Sequence, residues 1–257
     1  MQNTSPQNVW FITGAARGIG LSLARQVLAQ GDAVAATSRH LESLRSALGE
    51  DSAHFLALAV DLTDEASTKA AIERTIAHFG RIDRVVNNAG YGQQGAIEAL
   101  SDAELRRNFD VASIVGFQGG YAGWGSYVAS KFALTGLTES LRAEVAELGI
   151  KATVVYPGPV RTGFLSKDSL VVAERAIADY TEAQASLDLH LNALDGKQAG
   201  DPEKVATLII EASKAAEPPL HLFAGKIATT LADEKMLSVK TDLAAWRAAS
   251  DATDFED

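Results

Sequence analysis

The sequence predicts an α/β fold built on one doubly wound parallel sheet. Short apolar runs alternate with helical patterns from Val9 onward, and the runs lack the strict polar alternation of a sheet with one face in water. A glycine-rich turn joins the first run to the first helical pattern. Taken in order, residues 9–13 (VWFIT) read as a buried strand and 18–30 as a helix that Gly31 ends. Residues 33–38 (AVAATS) make a second strand, 41–48 a short helix, and 54–60 (HFLALAV) a third strand. A helix over 64–79 stops at Gly80, and 81–88 (RIDRVVNN) holds the fourth strand.

The second half repeats the alternation. Residues 126–148 form a helix in which Leu134, Leu137, Leu141, Val145 and Leu148 recur at spacings of three and four, a single apolar stripe closed by Gly149. The strand 150–156 follows and breaks at Pro157-Gly158-Pro159. The stretch 164–198 is helix-prone but weakly patterned, and lies where a substrate lid would sit; a further helix begins near Pro202. No repeat or linker divides the chain, so residues 1–257 are expected to be a single domain, with a cofactor-binding part over 8–163 and a substrate-loop and C-terminal part over 164–257.

Composition narrows the function classes. The chain is 47% hydrophobic and 22% charged, enough apolar mass for a full core. Its formal charge of -10 argues against nucleic acid or an anionic membrane as partner. Without cysteine there is no disulfide framework and no thiolate nucleophile, and the five histidines, at 40, 54, 78, 190 and 221, lack ligand spacing, so no metal is expected. The polar N-terminus does not read as a signal peptide and no run is long enough to span a bilayer; cytoplasmic is the expected location. The acidic C-terminal residues Asp251, Asp254, Glu256 and Asp257 read as a solvated tail.

The turn Thr13-Gly14-Ala15-Ala16-Arg17-Gly18-Ile19-Gly20 carries the sharpest signal. Glycine there permits a tight turn and close backbone approach to a pyrophosphate, which the following helix N-terminus attracts through its free N–H groups and dipole. This is the Rossmann-type solution for binding a dinucleotide, with glycines spaced G-x-x-x-G-x-G rather than G-x-G-x-x-G. Downstream stand Asp61 after the third strand, Asn87-Asn88-Ala89-Gly90 after the fourth, Tyr127-x-x-x-Lys131, and Pro157-Gly158 after the sixth. These five stretches, in this order, resemble the short-chain dehydrogenase/reductase family, closely over residues 8 to 163 and in general layout beyond.

The resemblance implies that Asp61 approaches the adenine, that Asn88, Ala89 and Gly90 lie near the adenosine ribose, and that Thr162 reaches the nicotinamide end. It also implies a homo-oligomer. Charge selects between the cofactors. An acidic residue at the end of the second strand would bind both ribose hydroxyls and repel a 2′-phosphate, but here stand Thr37-Ser38-Arg39. Arg39 offers a guanidinium fork to that phosphate and Arg17 a second, so NADP is the expected cofactor; solvated surface arginines are the plainer alternative.

Tyr127 alone among the five tyrosines has a lysine four residues on, which places both side chains on one helix face. A nearby ammonium and an oxidised nicotinamide would lower the phenol pKa toward a working range. The resemblance makes Tyr127 the general acid/base, Lys131 its partner and a ribose ligand, and Ser113 the hydrogen-bond donor to the substrate oxygen. Tyr121 and Trp124, on an expected loop, either line the substrate pocket or merely pack.

One departure stands out. Between Gly90 and Tyr127 the chain is shorter than its apparent family by about one helix and most of a strand. The helix opening at the capping box Ser101-Asp102-Ala103-Glu104, with Leu105 and Phe109 on one face, runs straight into Asp110–Val115 with no reversing glycine or proline. No residue inherits the family's asparagine, because Asn108 comes too early. Either about 25–30 residues are missing near Asp110 to Ser113, or 111–115 forms a stunted fifth strand. The function expected is an NADP(H)-dependent oxidoreductase that interconverts a small-molecule carbonyl and a secondary alcohol by hydride transfer. The alternative is a catalytically impaired dinucleotide-binding sensor or interaction protein.

Overall fold

The computed structural model describes residues 6–100, 113–166, 169–175 and 177–255. The first half is a regular α/β unit. Strands β1 (Val9–Ile12), β2 (Ala33–Ser38), β3 (Phe55–Ala59) and β4 (Arg84–Val86) form a parallel sheet in the order β3-β2-β1-β4. Helices α1 (Gly18–Ala29), α2 (Leu41–Leu48) and α3 (Glu65–Phe79) lie between them. Both faces of β1 are buried because its side chains alternate between two cores. Trp10 and Ile12 meet Leu23, Ala24 and Val27 of α1, whereas Phe11 meets Ala71 of α3. The buried carboxylate of Asp32 accepts from the backbone and side-chain nitrogens of Asn8 and from the Trp10 indole, pinning the start of β1 to the turn before β2.

The second half is organised differently from the sequence expectation. Helix α4 (Gly125–Glu144) gives way to a 3-10 turn at Ala146–Leu148, and β6 (Val154–Pro157) pairs in parallel only with β8 (His221–Ala224) among the described residues. Strand β5 (Gly92–Gln94) pairs in parallel with β7 (Leu170–Val172) as a separate two-stranded ribbon. The helix-prone but weakly patterned 164–198 stretch holds β7, α5 (Thr181–Leu189) and a π-helical turn at His190–Leu194. Helices α6 (Pro202–Lys214) and α7 (Lys226–Asp251) complete the chain.

Three expectations are corrected. The stripe on α4 is not a buried face: Leu137 is 66% and Leu141 47% exposed, and Leu148 beyond it 72%. Ile114 and Val115 belong to a 3-10 turn, Ile114–Gly116, not to a fifth strand. Asp251 closes the 26-residue helix α7 instead of lying in a tail, although residues 252–255 beyond it are exposed. The expected helix from Ser101, with Leu105, Asn108 and Phe109, and the junction from Asp110 to Val111 and Ala112 lie outside the described residues.

Helix α6 ties the halves together. Its Ala206 and Ile210 join the core around β1, while its Val205 packs with Val160 and Ala224 beside β6 and β8. No helix among the described residues is long and apolar enough to cross a membrane.

Candidate active site

At the carboxyl end of β1 the chain turns tightly. Gly14 has φ +65, and a Cβ there would lie 2.7 Å from the Ala89 Cα. A Cβ on Gly20 would lie 2.3 Å from the Asn88 Nδ2. Both positions therefore accept glycine alone, and the close approach holds the β1 and β4 loops edge to edge. Thr13 and Asn88 lock them. The Thr13 hydroxyl accepts from the backbone N–H groups of Asn88 (2.8 Å) and Ala89 (3.0 Å), and the Asn88 amide donates to the carbonyls of Thr13 (2.9 Å) and Gly14 (3.1 Å). Thr13 was not among the expected cofactor residues. Its only sequence signal is its place at the head of the glycine turn.

Helix α1 begins here with Arg17 as its N-cap, makes no side-chain cap hydrogen bond and has no acidic residue in its first turn. Its N-terminal amides and dipole are thus free of a competing carboxylate, which fits a pyrophosphate. Arg17 and Arg39 are both exposed, and Ser38 ends β2 half-buried. Asp61 stands after β3, where two hydrogen bonds from Thr63 and the nearby Arg39 guanidinium hold its carboxyl below the ordinary value. On the other side, Pro157 ends β6 and Gly158 donates to the Ala224 carbonyl. Thr162 caps the Gly163–Leu165 turn, with its Cγ2 3.3 Å from where a Gly18 Cβ would stand. Ile19 packs against the Val160, Val205 and Ala224 cluster. Gly90 lies exposed at the end of the Asn88 loop. The loops after β1, β4 and β6 therefore adjoin, through Gly14 and Gly20 against Asn88 and Ala89 and through Gly18 and Ile19 against Thr162 and Val160.

Tyr127 and Lys131 are both buried on the same face of α4, as the spacing predicts. The Lys131 Nζ lies over the Tyr127 ring, 4.7 Å from its centroid. Ser113, in extended backbone before the 3-10 turn, hydrogen-bonds the Tyr127 phenol. Burial pushes that phenol up to about 12, with the Ser113 bond pulling it part of the way back. The direction is opposite to the lowering expected from the sequence, because desolvation of the buried phenol outweighs the Ser113 hydrogen bond.

What lets Ser113 reach Tyr127 is Gly116, which sequence reasoning missed. A Cβ there would stand 2.7 Å from the Lys131 carbonyl oxygen, so the turn carrying Ser113 lies directly on the backbone of α4. The Thr135 hydroxyl donates to the Gly116 carbonyl and fastens the contact. Gly116→Ala is expected to push the turn off the helix and lower any carbonyl-reducing turnover about tenfold with dinucleotide affinity unchanged. Gly136→Ala, where nothing lies within 4 Å, serves as the control in the same assay and should not lose activity.

Apolar side chains roof the phenol. Trp124 and Phe164 approach the Tyr127 ring at 5.5 and 5.7 Å between centroids, and Leu165, Leu170 and Leu191 close the cluster. Trp124 is therefore packed, at 6% exposure, while Tyr121 is 38% exposed. The buried Gln94 amide faces the Trp124 indole N–H at 3.3 Å, the Leu187 N–H at 3.1 Å and the Ser186 hydroxyl at 3.3 Å, and so ties α5 to this wall. No group of three or more potential metal ligands occurs among the described residues.

Comparison with known proteins identifies relatives of this chain. A family model described as short chain dehydrogenase matches residues 8–114 and 110–170, in two pieces that meet at 110–114. Oxidoreductase BOA17 of Botryotinia fuckeliana is 30% identical over 272 residues, covering 94% of this chain and 97% of that protein. Since 94% of 257 residues is about 242, about 30 of those 272 positions belong to the relative alone. A crystal structure of a short-chain dehydrogenase from Streptomyces avermitilis is 31% identical with a TM-score of 0.84, covering 96% of this chain and 99% of that one. A Burkholderia phymatum short chain dehydrogenase/reductase solved in complex with NAD shares the fold at 20% identity and a TM-score of 0.75, covering 93% of this chain and 96% of its own.

Proposed function

The chain belongs to the short-chain dehydrogenase family, and from that premise we propose an NADP(H)-dependent oxidoreductase interconverting a carbonyl and a secondary alcohol, with Tyr127 as general acid/base. The hydrogen bond between Ser113 and the buried Tyr127 phenol, beside Lys131, carries this reading. A phenol held near pKa 12 stays protonated at neutral pH and is ready to donate to a carbonyl oxygen. Ser113 stands beside it to hydrogen-bond the same oxygen, and Lys131 supplies the positive charge that stabilises the phenolate left behind. Bound NADP(H) supplies hydride exchange at its nicotinamide ring.

The same reading assigns Gly14, Gly18, Ile19 and Gly20 to the pyrophosphate turn and Ser38, Arg39 and Arg17 to the 2′-phosphate. Asp61 takes the adenine side, Asn88, Ala89 and Gly90 the ribose side, and Pro157, Gly158, Thr162 and Lys131 the nicotinamide end. Two exposed arginines with no carboxylate at the end of β2 favour NADP over NAD, although NAD is what the Burkholderia structure holds. The partner is a small molecule with an apolar body, consistent with the wall of Trp124, Phe164, Leu165 and Leu170.

NADPH oxidation against a panel of ketones and aldehydes tests the assignment, with apolar ketones expected to be turned over. The interruption of the family match at 110–114 favours one second reading, a dinucleotide-binding protein with impaired chemistry. Cofactor binding without turnover of any carbonyl in the panel would select it.

A further inference from the structure

Behind the turn that carries Ser113, a row of buried polar groups lines up toward it. Thr135 lies one helical turn after Lys131 on α4, where a threonine ordinarily gives its proton to the carbonyl four residues back. Its Oγ1 is 3.2 Å from that Lys131 carbonyl, and it is equally 3.2 Å from the carbonyl of Gly116. One hydroxyl therefore sits on the seam between the helix that carries Tyr127 and Lys131 and the turn that carries Ser113.

This hydroxyl is itself held. The Tyr156 phenol of β6 donates to the Thr135 Oγ1 at 3.2 Å, and the phenol oxygen lies 3.1 Å from Nδ1 of His221 on β8. The other ring nitrogen, Nε2, is 3.8 Å from the carboxylate of Glu139, one helical turn beyond Thr135. Tyr156 is wholly buried, and its ring is fixed by Phe223, stacked at 4.9 Å, and by Phe117, edge-on at 5.7 Å. Burial pushes the Tyr156 phenol above its ordinary value, so it remains a neutral O–H donor. Phe117 directly follows Gly116, so the same ring cluster grips the turn a second time.

Proton counting fixes the direction of the row. A phenol has one hydrogen to donate, and so has a threonine hydroxyl. With Tyr156 donating to Thr135, the phenol oxygen accepts from His221, and Nδ1 must carry a proton. Thr135, accepting from Tyr156, directs its own hydrogen to the carbonyls. Every link then points inward, from His221 through Tyr156 and Thr135 to Gly116, and aligned links polarise one another. In the reverse order Thr135 would donate to Tyr156 and release the Gly116 carbonyl. Packing alone does not require this arrangement, since valine and phenylalanine would fill the same space without burying two hydroxyls.

We propose that Thr135, Tyr156 and His221 are positioning residues, whose inward-directed hydrogen bonds hold the Gly116 carbonyl on α4 and so keep Ser113 against the Tyr127 phenol. None of the three touches the reacting atoms. Because this role rests on Ser113 and Tyr127 as the reacting groups, one of its tests involves no turnover.

Carbonyl-13C glycine combined with 15N phenylalanine marks two bonds, Gly116–Phe117 and Gly163–Phe164, the second serving as a reference within the same protein. Thr135→Val, which keeps the shape and drops the hydroxyl, should shift the Gly116 carbonyl resonance upfield and leave that of Gly163 in place. Tyr156→Phe should move it the same way by a smaller amount, and Thr135→Ser should return it toward its original position. The imidazole 15N spectrum of His221 should show a protonated Nδ1. In carbonyl reduction, Thr135→Val and Tyr156→Phe are expected to lower kcat about tenfold and about threefold, with KM and dinucleotide affinity within about twofold. Thr135→Ser should recover most of that loss. A Gly116 carbonyl that either Thr135→Val or Tyr156→Phe leaves in place would overturn the proposal. So would a bare Nδ1 on His221, or a displaced carbonyl with kcat unchanged. If the unmodified protein turns over no carbonyl, the catalytic reading fails separately, and the Gly116 resonance alone decides whether these groups hold the turn.

Discussion

Replacing Tyr127 by phenylalanine is expected to lower turnover by about three orders of magnitude while NADPH affinity stays within about twofold. The substitution keeps the ring that packs between Trp124 and Phe164, with Lys131 over its face, and removes only the hydroxyl. The loss therefore reports proton transfer rather than collapse of the wall. A second readout separates the hydroxyl from the ring. Burial raises the phenol to about 12 from an ordinary value near 10, so the native state holds its proton more tightly than the unfolded chain. The stability tied to that proton is fully present below pH 10 and is lost as pH rises from 10 through 12, amounting to about 2–3 kcal/mol when complete. Tyr127→Phe should flatten that part of the alkaline unfolding profile. An unchanged turnover number would mean that another group donates the proton.

The second large effect concerns cofactor choice. NADPH is expected to bind at least about tenfold more tightly than NADH, since a charge-assisted phosphate contact contributes ~1.5–3 kcal/mol. Arg39→Asp should reverse that preference. The change removes the guanidinium from the exposed end of β2, and it also leaves Asp61 without the positive charge that now helps hold its carboxyl down. Two carboxylates would then face the site of a 2′-phosphate, so NADPH should weaken more than NADH improves. Isothermal titration of both cofactors against both proteins decides the point. Equal dissociation constants in the unmodified protein would remove Arg39 from cofactor selection.

The parts of this fold that were legible in the sequence share a physical character. The strand 33–38 and the helix 41–48 fall where the apolar periodicity and the flanking Gly31 and Gly49 place them, because such signals act within a turn or two of the backbone. Tyr127 and Lys131 share one buried face because i, i+4 spacing alone decides that. Other elements gave no such signal. Strand β5 reads Gly-Gln-Gln, and only its pairing with β7 and the burial of Gln93 and Gln94 make it a strand. Helix α7 has a diffuse apolar pattern and rests on the body mainly through Ala228 and Ala232, so nothing in the sequence joins its last residue, Asp251, to a helix rather than to the acidic tail.

By itself the sequence determined the parallel α/β class, the glycine turn that suits a dinucleotide, the absence of an acidic residue at the end of β2, and the Tyr127–Lys131 spacing. Each is a property of neighbouring residues, set by backbone conformation and side-chain type. Only the tertiary structure decided which distant groups meet. Gly116 lies on the backbone of α4, so Ser113 reaches Tyr127; Phe164, Leu165, Leu170 and Leu191 pack with Tyr127, whose burial raises its pKa. Tertiary structure also decided the fate of the leucine stripe on α4. Its periodicity specifies a helix, but burial needs a neighbour, and among the described residues Leu137 and Leu141 stay exposed. A periodic pattern records which face a helix offers, whereas the free energy of burying that face depends on whether the rest of the chain supplies something to cover it.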